Sequence, residues 1–311
     1  MTGASPHVAV LMATYNGAEF LPEQLNSLAA QTHENWRLWV SDDGSADATF
    51  GILRCYQDAW GADKLRLLAG PRRGFQANFL QLTAQADISA DYYAWSDQDD
   101  VWLPEKLARA LENLKPFEPE QPVLYCARTI LTDRHGQPCG LSPLMNRRPP
   151  SFVNALVQSL AGGNTMVFNQ AARKLIVSGN SAMPVSHDWW AYLVVSGSGG
   201  RVIYDHEPLI KYRQHDSNLI GSNKSLKARW LRLRKLFAGT LKRYTDLNLA
   251  SLQEVSFFLT PDNRRNLETL AALRQSRNPI KRFGQFRAAG FHRQTAPQQT
   301  TAYLAVLLGR I

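Results

Sequence analysis

The sequence is poor in cysteine. Its 311 residues include three cysteines, at positions 55, 126 and 139. This is an odd number, and the spacing matches no common zinc motif, so a disulfide framework and a structural zinc site are both improbable. Scarce and unpatterned cysteine is typical of proteins that fold in a reducing compartment, and we expect a cytoplasmic protein.

Long apolar runs are also missing. No stretch approaches the roughly 18 uninterrupted apolar residues that a transmembrane helix needs. The opening residues, MTGASPHVAVLMATYNG, lack the basic segment and the long apolar segment of a secretory signal peptide. The sequence therefore predicts neither a membrane span nor a cleaved leader.

Several common catalytic motifs are absent. The chain has no G-x-x-x-x-G-K-[ST] loop, no G-x-G-x-x-G loop and no G-x-S-x-G elbow, and no cysteine is spaced with a histidine as in a thiol enzyme. These absences argue against an NTPase, a kinase, a dehydrogenase and a nucleophilic hydrolase.

Acidic residues are scarce in one part of the chain. Residues 224–311 contain 17 of the 35 lysines and arginines but 4 of the 26 aspartates and glutamates. Such a change in charge marks a boundary. We predict one domain over residues 1–223 and a basic, mainly helical region over residues 224–311.

Strand-like and helix-like segments alternate in the first 131 residues. Short apolar runs, rich in β-branched and aromatic residues, alternate with segments whose apolar residues recur every three or four positions. This order predicts an α/β fold with a largely parallel central sheet and helices on both faces. Polar clusters follow three of the predicted strands, at residues 14–16, 42–45 and 97–100. The carboxyl ends of parallel strands share one edge, so we expect the clusters to converge there.

The cluster in AWSDQDDVWLP holds three carboxylates, Asp97, Asp99 and Asp100. An aspartate that caps the next helix would account for one of them, and Asp100 is best placed for that role. Sharing a divalent cation would relieve the repulsion among all three, and oxygen ligands suit Mg²⁺ or Mn²⁺. We favour the metal interpretation.

Two further motifs have a functional and a structural interpretation. In SDDGS, one aspartate is enough for a turn, and a second could accept a hydrogen bond from a ligand N–H such as the imide of uracil or thymine. In GPRRGFQAN, Arg72 and Arg73 precede a helix. They suit phosphate, but they also fit a solvated basic loop.

The motifs SHDWW and YRQHDSN also have more than one interpretation. In SHDWW, Asp188 could act as a general base in a pocket walled by Trp189 and Trp190, or it could lie on the surface beside core tryptophans. In YRQHDSN, Arg213 and His215 could meet a diphosphate or a metal, which is a weak indication by itself.

Four segments together, ATYNGAEFLPEQLNSLAAQTHENWRLWVSDDGSADAT, SDQDDVWLPEKL, HDWW and YRQHDSNLIG, resemble glycosyltransferase family 2. The resemblance covers about residues 7–221 and is greatest to bacterial rhamnosyltransferase-like members that build surface polysaccharides. It implies a GT-A fold, a Rossmann-like nucleotide-binding domain with the acceptor half attached. It also implies inverting transfer from a nucleoside-diphosphate sugar, with dTDP-rhamnose as the preferred donor.

The resemblance assigns roles to individual residues. Asp188 matches the catalytic base, and the residue before it, His187, departs from the glutamate often found there. The implied metal ligands for Mn²⁺ or Mg²⁺ are Asp97, Asp99 and His215. The implied nucleotide- and donor-binding residues are Thr14, Tyr15, Asn16, Glu19, Asp42, Asp43, Arg73, Asn78, Asp97 and Arg213. The predicted acceptor pocket contains Trp102, Gly163, Asn164, His187, Trp189 and Trp190.

The chemistry of inversion agrees with one catalytic carboxylate. A single displacement needs one base, which would be Asp188, to take a proton from the acceptor hydroxyl. The leaving diphosphate needs positive charge rather than a proton, whereas a glycosidase would need a pair of carboxylates. The alternatives are a nucleotidyltransferase acting on sugar phosphates, and a non-catalytic carbohydrate- or membrane-binding protein on the same scaffold. ATYNGAEF lacks the Gly-rich basic loop of the former, and the four aspartates argue against the latter.

The basic region contains an amphipathic segment. Its apolar residues recur at helical spacing, at Leu226, Trp230, Leu233, Phe237 and Leu241, with lysine and arginine on the flanks. Such a helix suits an anionic membrane surface, where a lipid-linked acceptor would be located. It could instead pack on the first domain. No nucleic-acid reader motif is present, so we expect no nucleic-acid partner.

Overall fold

The fold is described from a computed structural model, which covers residues 5–179, 184–214 and 239–311. Its strands are β1 (Val8–Thr14), β2 (Trp36–Asp42), β3 (Leu65–Ala69), β4 (Tyr92–Ser96), β5 (Val101–Trp102), β6 (Val123–Ala127), β7 (Ile130–Thr132), β8 (Pro138–Leu141), β9 (Val167–Asn169), β10 (Arg201–Asp205) and β11 (Ile210–Arg213). Its helices are α1 (Leu21–Ala29), α2 (Thr49–Trp60), α3 (Phe75–Ala84), α4 (Lys106–Leu114), α5 (Phe152–Ala155), α6 (Gln170–Ile176), α7 (His187–Gly197), α8 (Thr240–Glu254), α9 (Pro261–Gln275), α10 (Pro279–Ala288) and α11 (Ala296–Leu307).

The central sheet of the described chain has the strand order β10-β6-β9-β4-β1-β2-β3. Neighbouring strands run parallel except at β9, which is antiparallel to both β4 and β6. The predicted α/β fold with a mostly parallel sheet is therefore confirmed.

Helices cover both faces of this sheet, which explains why β1 is apolar along its whole length rather than alternating. All seven residues of β1 are buried. Ala9, Leu11 and Ala13 pack with one hydrophobic cluster, which includes residues of α3, α6 and α7. The alternate apolar residues, Val8, Val10 and Met12, pack with a second cluster, which includes residues of α1 and α4. This is the period of two expected of a strand.

The sequence predicted one strand over residues 122–131, but the structure has two, β6 and β7, in different sheets. The chain leaves the central sheet after Ala127, where the Arg128 N–H donates to the carbonyl of Asp205 (3.0 Å). The segment then enters a small sheet of order β5-β11-β7-β8. This sheet brings β11 alongside β5, immediately after the acidic cluster.

The predicted C-terminal helices are present as α8 to α11. They share a hydrophobic cluster with α5 and α7, to which each contributes buried residues. Polar contacts join the two parts as well, since Asn263 Nδ2 donates to the carbonyls of Ser196 (3.1 Å) and Gly197 (3.0 Å). The domain boundary near residue 223 lies outside the described residues and stays a prediction.

Most of the predicted amphipathic segment lies outside the described residues. Leu226, Trp230, Leu233 and Phe237 lie outside the described residues, and Leu241 belongs to α8. Among the helices that the structure describes, none is both long and apolar enough to cross a membrane.

Candidate active site

The three polar clusters converge at one edge of the central sheet, as predicted. In the register of the parallel strands, Thr14 of β1 pairs with Asp42 of β2, and Met12 pairs with Ser96 of β4. Side chains then link the loops that follow, because Tyr15 N donates to Gln98 Oε1 (2.9 Å) and Gln98 Nε2 donates to Tyr15 O (3.0 Å). This edge is the carboxyl end of the sheet, where ligands of open α/β folds bind.

Asp42 and Asp43 both organise loops. Asp42 accepts hydrogen bonds from Thr14 Oγ1 (2.9 Å), from Ser45 N (2.8 Å) and from Gly44 N (3.1 Å), which form the turn expected after β2. Asp43 is buried and accepts from Arg72 N (2.6 Å) and Gly74 N (2.7 Å). The second carboxylate thus fixes the arginine loop.

The arginine loop (residues 70–74) and α3, which follows it, carry two of the residues predicted to bind the donor, Arg73 and Asn78. Arg72 adopts φ 57°, a left-handed conformation that its hydrogen bond to Asp43 helps to hold. Arg73 is exposed. Asn78 is buried, and its Nδ2 donates to Ser41 O (2.8 Å), so it joins α3 to β2 rather than facing solvent.

The remaining nucleotide-side residues lie on the loop after β1. Tyr15 is exposed. Asn16 N donates to Ser45 Oγ (2.8 Å), and Asn16 Oδ1 accepts from Ala46 N (2.8 Å). Glu19 is exposed and forms an ion pair with Arg134 (2.7 Å). Hydrogen bonds to Ser45 and Ala46 therefore hold the loop after β1 in place, and Tyr15 is exposed on it.

Burial and neighbouring negative charges raise the pKa of Asp97 in the acidic cluster. Burial raises the pKa of Asp97 to about 8, and the charges of Asp99 and Asp188 act in the same direction. Asp188, which is 91 positions away in the sequence, therefore lies close enough to Asp97 to influence its ionisation. A cation beside Asp97 would offset this concentration of negative charge.

The third carboxylate of the cluster points away from that position. Asp100 is fully buried, accepts from Asn164 Nδ2 through Oδ2, and accepts from Arg213 N through Oδ1 (3.4 Å). Burial, followed by the charge of Asp99, raises its pKa well above the usual range. The capping role is wrong, because α4 starts at Lys106 and is preceded by Glu105.

The structure also does not bring Asp97, Asp99 and Asp100 together as one metal site. Among the described residues, no three histidine, cysteine, aspartate or glutamate side chains are grouped closely enough to hold an ion. Asp97 and Asp99 remain as a pair, which suits Mg²⁺ or Mn²⁺, because these ions are commonly held by one or two carboxylates together with substrate phosphates. His215 lies outside the described residues.

Arg213 is buried behind the acidic cluster. Its guanidinium donates from Nε to Asp99 O (3.1 Å) and from Nη1 to Arg134 O (2.7 Å), and Nη2 pairs with Glu23. The group also lies over the ring of Phe20, 4.7 Å from its centroid. These contacts assign Arg213 to fixing the backbone at Asp99.

Asp188 lies in the first turn of α7. Its Oδ1 accepts from Ser186 Oγ and from Trp189 N (2.6 Å), so the carboxylate is held in one orientation. A negative charge at this end of a helix is stabilised by the helix dipole. An oriented carboxylate beside the acidic cluster is suited to accept a proton.

The predicted acceptor-pocket tryptophans are core residues. Trp102, Trp189 and Trp190 are all buried. The indole N–H of Trp189 donates to Ala155 O (2.7 Å), and that of Trp190 donates to Ile176 O (2.9 Å). Asn164 is buried against Asp100. None of these side chains presents an exposed face to a sugar, so we do not place the acceptor against them.

His187 and Gly163 form a tight contact beside the site. A Cβ added at Gly163 would lie 2.3 Å from His187 Nε2, so only glycine fits there. The His187 ring stacks on Phe79 with centroids 4.1 Å apart and meets the edge of Trp95. In the part of the chain that the structure describes, neither ring nitrogen has a hydrogen-bond partner, and burial lowers the pKa of His187 to about 4.

Sequence reasoning missed two positioning residues. Gln98 bridges the loops after β1 and β4, and Glu23 pairs with Arg213. The available signal for Gln98 was Gly17, where an added Cβ would lie 2.2 Å from Gln98 Oε1. A glycine in the loop after a strand indicates close approach of another group.

Comparison with known proteins agrees with this geometry. The model of the family described as "Glycosyl transferase family 2" matches residues 9–175. The dTDP-rhamnosyl transferase RfbG of Shigella flexneri is 29% identical over 232 residues, which cover 71% of this chain and 78% of RfbG. An uncharacterised glycosyltransferase of Rickettsia typhi is 26% identical over 68% of this chain. The match spans 65% of that protein, slightly less than two thirds of its length.

Solved structures show the same fold. The fragment 1–349 of S. aureus TarS, in complex with UDP-GlcNAc, has a TM-score of 0.52 and 15% identity over 98% of this chain and 89% of that fragment. The mannosyltransferase PcManGT of Pyrobaculum calidifontis, in complex with GDP-Man and Mn²⁺, has a TM-score of 0.51 and 17% identity over 99% and 86%. The GT-A-like architecture is thus established.

Proposed function

This chain belongs to glycosyltransferase family 2, and from that premise we propose that it is a metal-dependent, inverting glycosyltransferase that uses a nucleoside-diphosphate sugar. The observation that carries the proposal is the closeness of Asp97, Asp99 and Asp188 at the carboxyl edge of the sheet, where the charges of Asp99 and Asp188 both raise the pKa of Asp97. Asp97 and Asp99 suit the donor diphosphate with its metal, and Asp188 suits the acceptor hydroxyl.

Asp188 is the proposed catalytic base. Its Oδ1 is occupied by Ser186 Oγ and Trp189 N, and we assign proton transfer to Oδ2. The acceptor hydroxyl would lose its proton to this atom as its oxygen attacks the anomeric carbon. The bond to the leaving diphosphate breaks on the opposite face, which inverts the configuration and requires no second carboxylate.

Asp97 and Asp99 are the proposed ligands of Mn²⁺ or Mg²⁺. When bound, the ion would supply positive charge against the charge that builds on the leaving diphosphate. Arg213 would act indirectly by fixing the backbone of Asp99. The structure of PcManGT in complex with GDP-Man and Mn²⁺ supports metal use within this fold.

We propose that the exposed Tyr15 and Arg73 contact the nucleotide and diphosphate directly. Thr14, Asp42, Asp43 and Asn78 hold the loops that carry them. Similarity to RfbG supports dTDP-rhamnose as the donor. The proposed acceptor is a saccharide or lipid-linked saccharide of a bacterial surface polysaccharide, on the inner face of the cytoplasmic membrane, which the basic region 224–311 would contact.

A panel of nucleotide sugars tests the proposal. The purified chain is incubated with dTDP-rhamnose, UDP-GlcNAc or GDP-mannose, with Mn²⁺, with Mg²⁺ or with EDTA, and the released nucleoside diphosphate is measured. We expect release from one donor, dTDP-rhamnose, and loss of release in EDTA. Release of pyrophosphate from dTTP and rhamnose 1-phosphate would instead show a nucleotidyltransferase, and no turnover of any donor would favour a non-catalytic binding protein.

A further inference from the structure

Four exposed aliphatic side chains lie at one end of the helix pair α10–α11. Ile280 is 78% exposed, Leu308 51%, Leu304 45% and Leu307 38%. The two helices are antiparallel neighbours, because the rings of Phe283 and Tyr303 lie 5.1 Å apart while Arg282 Nη2 donates to Leu307 O (2.6 Å). The first turn of α10 therefore lies beside the last turn of α11. We call Ile280, Leu304, Leu307 and Leu308 the aliphatic tip.

The tip is the outward face of α11 rather than an edge of the core. The inward face is formed by Ala302, Ala305 and Val306, which are fully buried. Leu304, Leu307 and Leu308 are three or four positions apart, so they share the opposite face. Helices at a protein surface normally carry polar residues there, and a cluster of exposed leucines marks an interaction surface.

Basic residues surround the tip. Residues 269–311 contain seven lysines and arginines and neither aspartate nor glutamate. Arg277, Lys281 and Arg310 are exposed at the same end of the helix pair. Asp246, which pairs with Arg274, is an acidic residue near this end of the helices, so the surroundings of the tip are predominantly basic. An aliphatic cluster beside a predominantly basic surface complements a surface that is apolar inside and anionic outside, which describes an anionic lipid bilayer.

We propose that the aliphatic tip inserts into the acyl boundary of an anionic membrane while Arg277, Lys281 and Arg310 meet lipid phosphates. This inference rests on the membrane contact proposed above for residues 224–311, and it names residues other than those of the segment 226–237. Exposed leucine and isoleucine offer no hydrogen bonds to a nucleic acid, and the like charges around the tip would oppose its pairing with a second copy of itself.

Co-sedimentation with vesicles tests the proposal. The full chain is mixed with vesicles of phosphatidylglycerol and phosphatidylethanolamine, or with vesicles of phosphatidylcholine alone, at low and high salt. We expect binding to the anionic vesicles and its loss at high salt. The double variant Leu307→Ser/Leu308→Ser removes apolar side chains that would enter the acyl boundary, so it should bind the vesicles about tenfold more weakly. The double variant Arg277→Gln/Lys281→Gln should bind about 30-fold more weakly, at about 1 kcal/mol per charge.

Phe257→Ser is the matched control. Phe257 is 67% exposed, lies in the turn between α8 and α9, and loses apolar area of the same kind. We expect this variant to bind vesicles as the wild type does. All variants are compared in donor hydrolysis without vesicles, where each should retain the wild-type rate because none of the substituted residues is among those assigned to the active site.

The outcomes separate the two levels of the proposal. If Trp230→Ser/Leu233→Ser abolishes binding while the tip variants bind normally, the membrane contact stands and the tip is overturned. If the wild type does not bind anionic vesicles, both are overturned. Conversion of a wild-type dimer to a monomer by the leucine variant, with unchanged vesicle binding, would assign the tip to self-association. Preferential binding of the wild type to duplex DNA or RNA would also contradict the proposal.

Discussion

His187 gives a quantitative test of the environment beside the site. The imidazole is 4% exposed, is enclosed by aromatic rings, and lacks a hydrogen-bond partner for either nitrogen among the described residues. Burial lowers its pKa to about 4, although the neighbouring charge of Asp188 acts in the opposite direction. In an unfolded chain a histidine titrates near pH 6.5. Protonation therefore favours unfolding.

The sign and size of the effect follow from these two values. A pKa that is lower in the folded state contributes no penalty above about pH 6.5, and stability is lost as the pH falls from there toward about 4. Between pH 7 and pH 5 the loss from this one group is about 2 kcal/mol. For a chain of this size that corresponds to a decrease in Tm of roughly 2–4 °C.

Thermal unfolding of His187→Met measures this contribution. Methionine retains favourable contacts with aromatic rings and cannot be protonated, and replacement of a histidine without partners breaks no hydrogen bond. We expect the decrease in Tm between pH 7 and pH 5 to be smaller than in the wild type by roughly 2–4 °C. His135→Met, at an exposed turn, controls for loss of a histidine. Equal decreases in the wild type and His187→Met would refute the reasoning.

Three further predictions concern buried positioning groups. Arg213→Lys cannot reproduce the forked contacts to three partners, so the free energy of unfolding in urea should fall by about 2–4 kcal/mol. Half-maximal activity should also need more Mn²⁺, and an unchanged Mn²⁺ requirement would contradict the role of Arg213 in fixing the backbone at Asp99. Asp100→Ala should cost about 2–4 kcal/mol in the same assay, because it leaves buried donors unpaired, whereas the exposed Asp87→Ala should cost less than about 0.5 kcal/mol. Gly163→Ala should cost about 1–3 kcal/mol, since its Cβ would lie 2.3 Å from a buried imidazole nitrogen. Gly284→Ala, in a helix with open space around it, should stabilise by about 0.5–1 kcal/mol.

The sheet and its binding edge could be predicted because burial on both faces leaves a strong local signal. A strand such as β1, in which every residue is buried, reads as a continuous apolar run, and a parallel arrangement then fixes which strand ends meet. The division of residues 122–131 into β6 and β7 could not be predicted in this way. It depends on the contact of Arg128 with Asp205, which is distant in sequence.

The direction in which each side chain of the site points could not be predicted from the sequence. Asp97 and Asp100 are three positions apart in one motif, yet the charge of Asp188 acts on Asp97 while Asp100 turns inward to Asn164. Trp189 and Trp190 read equally well as pocket walls or as core, and only the carbonyls that accept their indole N–H groups decide between these. Such choices depend on partners elsewhere in the chain, which no local pattern records.

Donor hydrolysis by Asp188→Asn tests the central claim most directly. The rate of nucleoside-diphosphate release is measured as a function of donor and of Mn²⁺ concentration for the wild type, Asp188→Asn, Asp99→Asn and the exposed control Asp87→Asn. We expect a loss of about 10²–10⁴-fold for Asp188→Asn with an unchanged KM for donor, a raised Mn²⁺ requirement for Asp99→Asn, and a wild-type rate for Asp87→Asn. Equal rates in all four proteins would contradict the proposed mechanism.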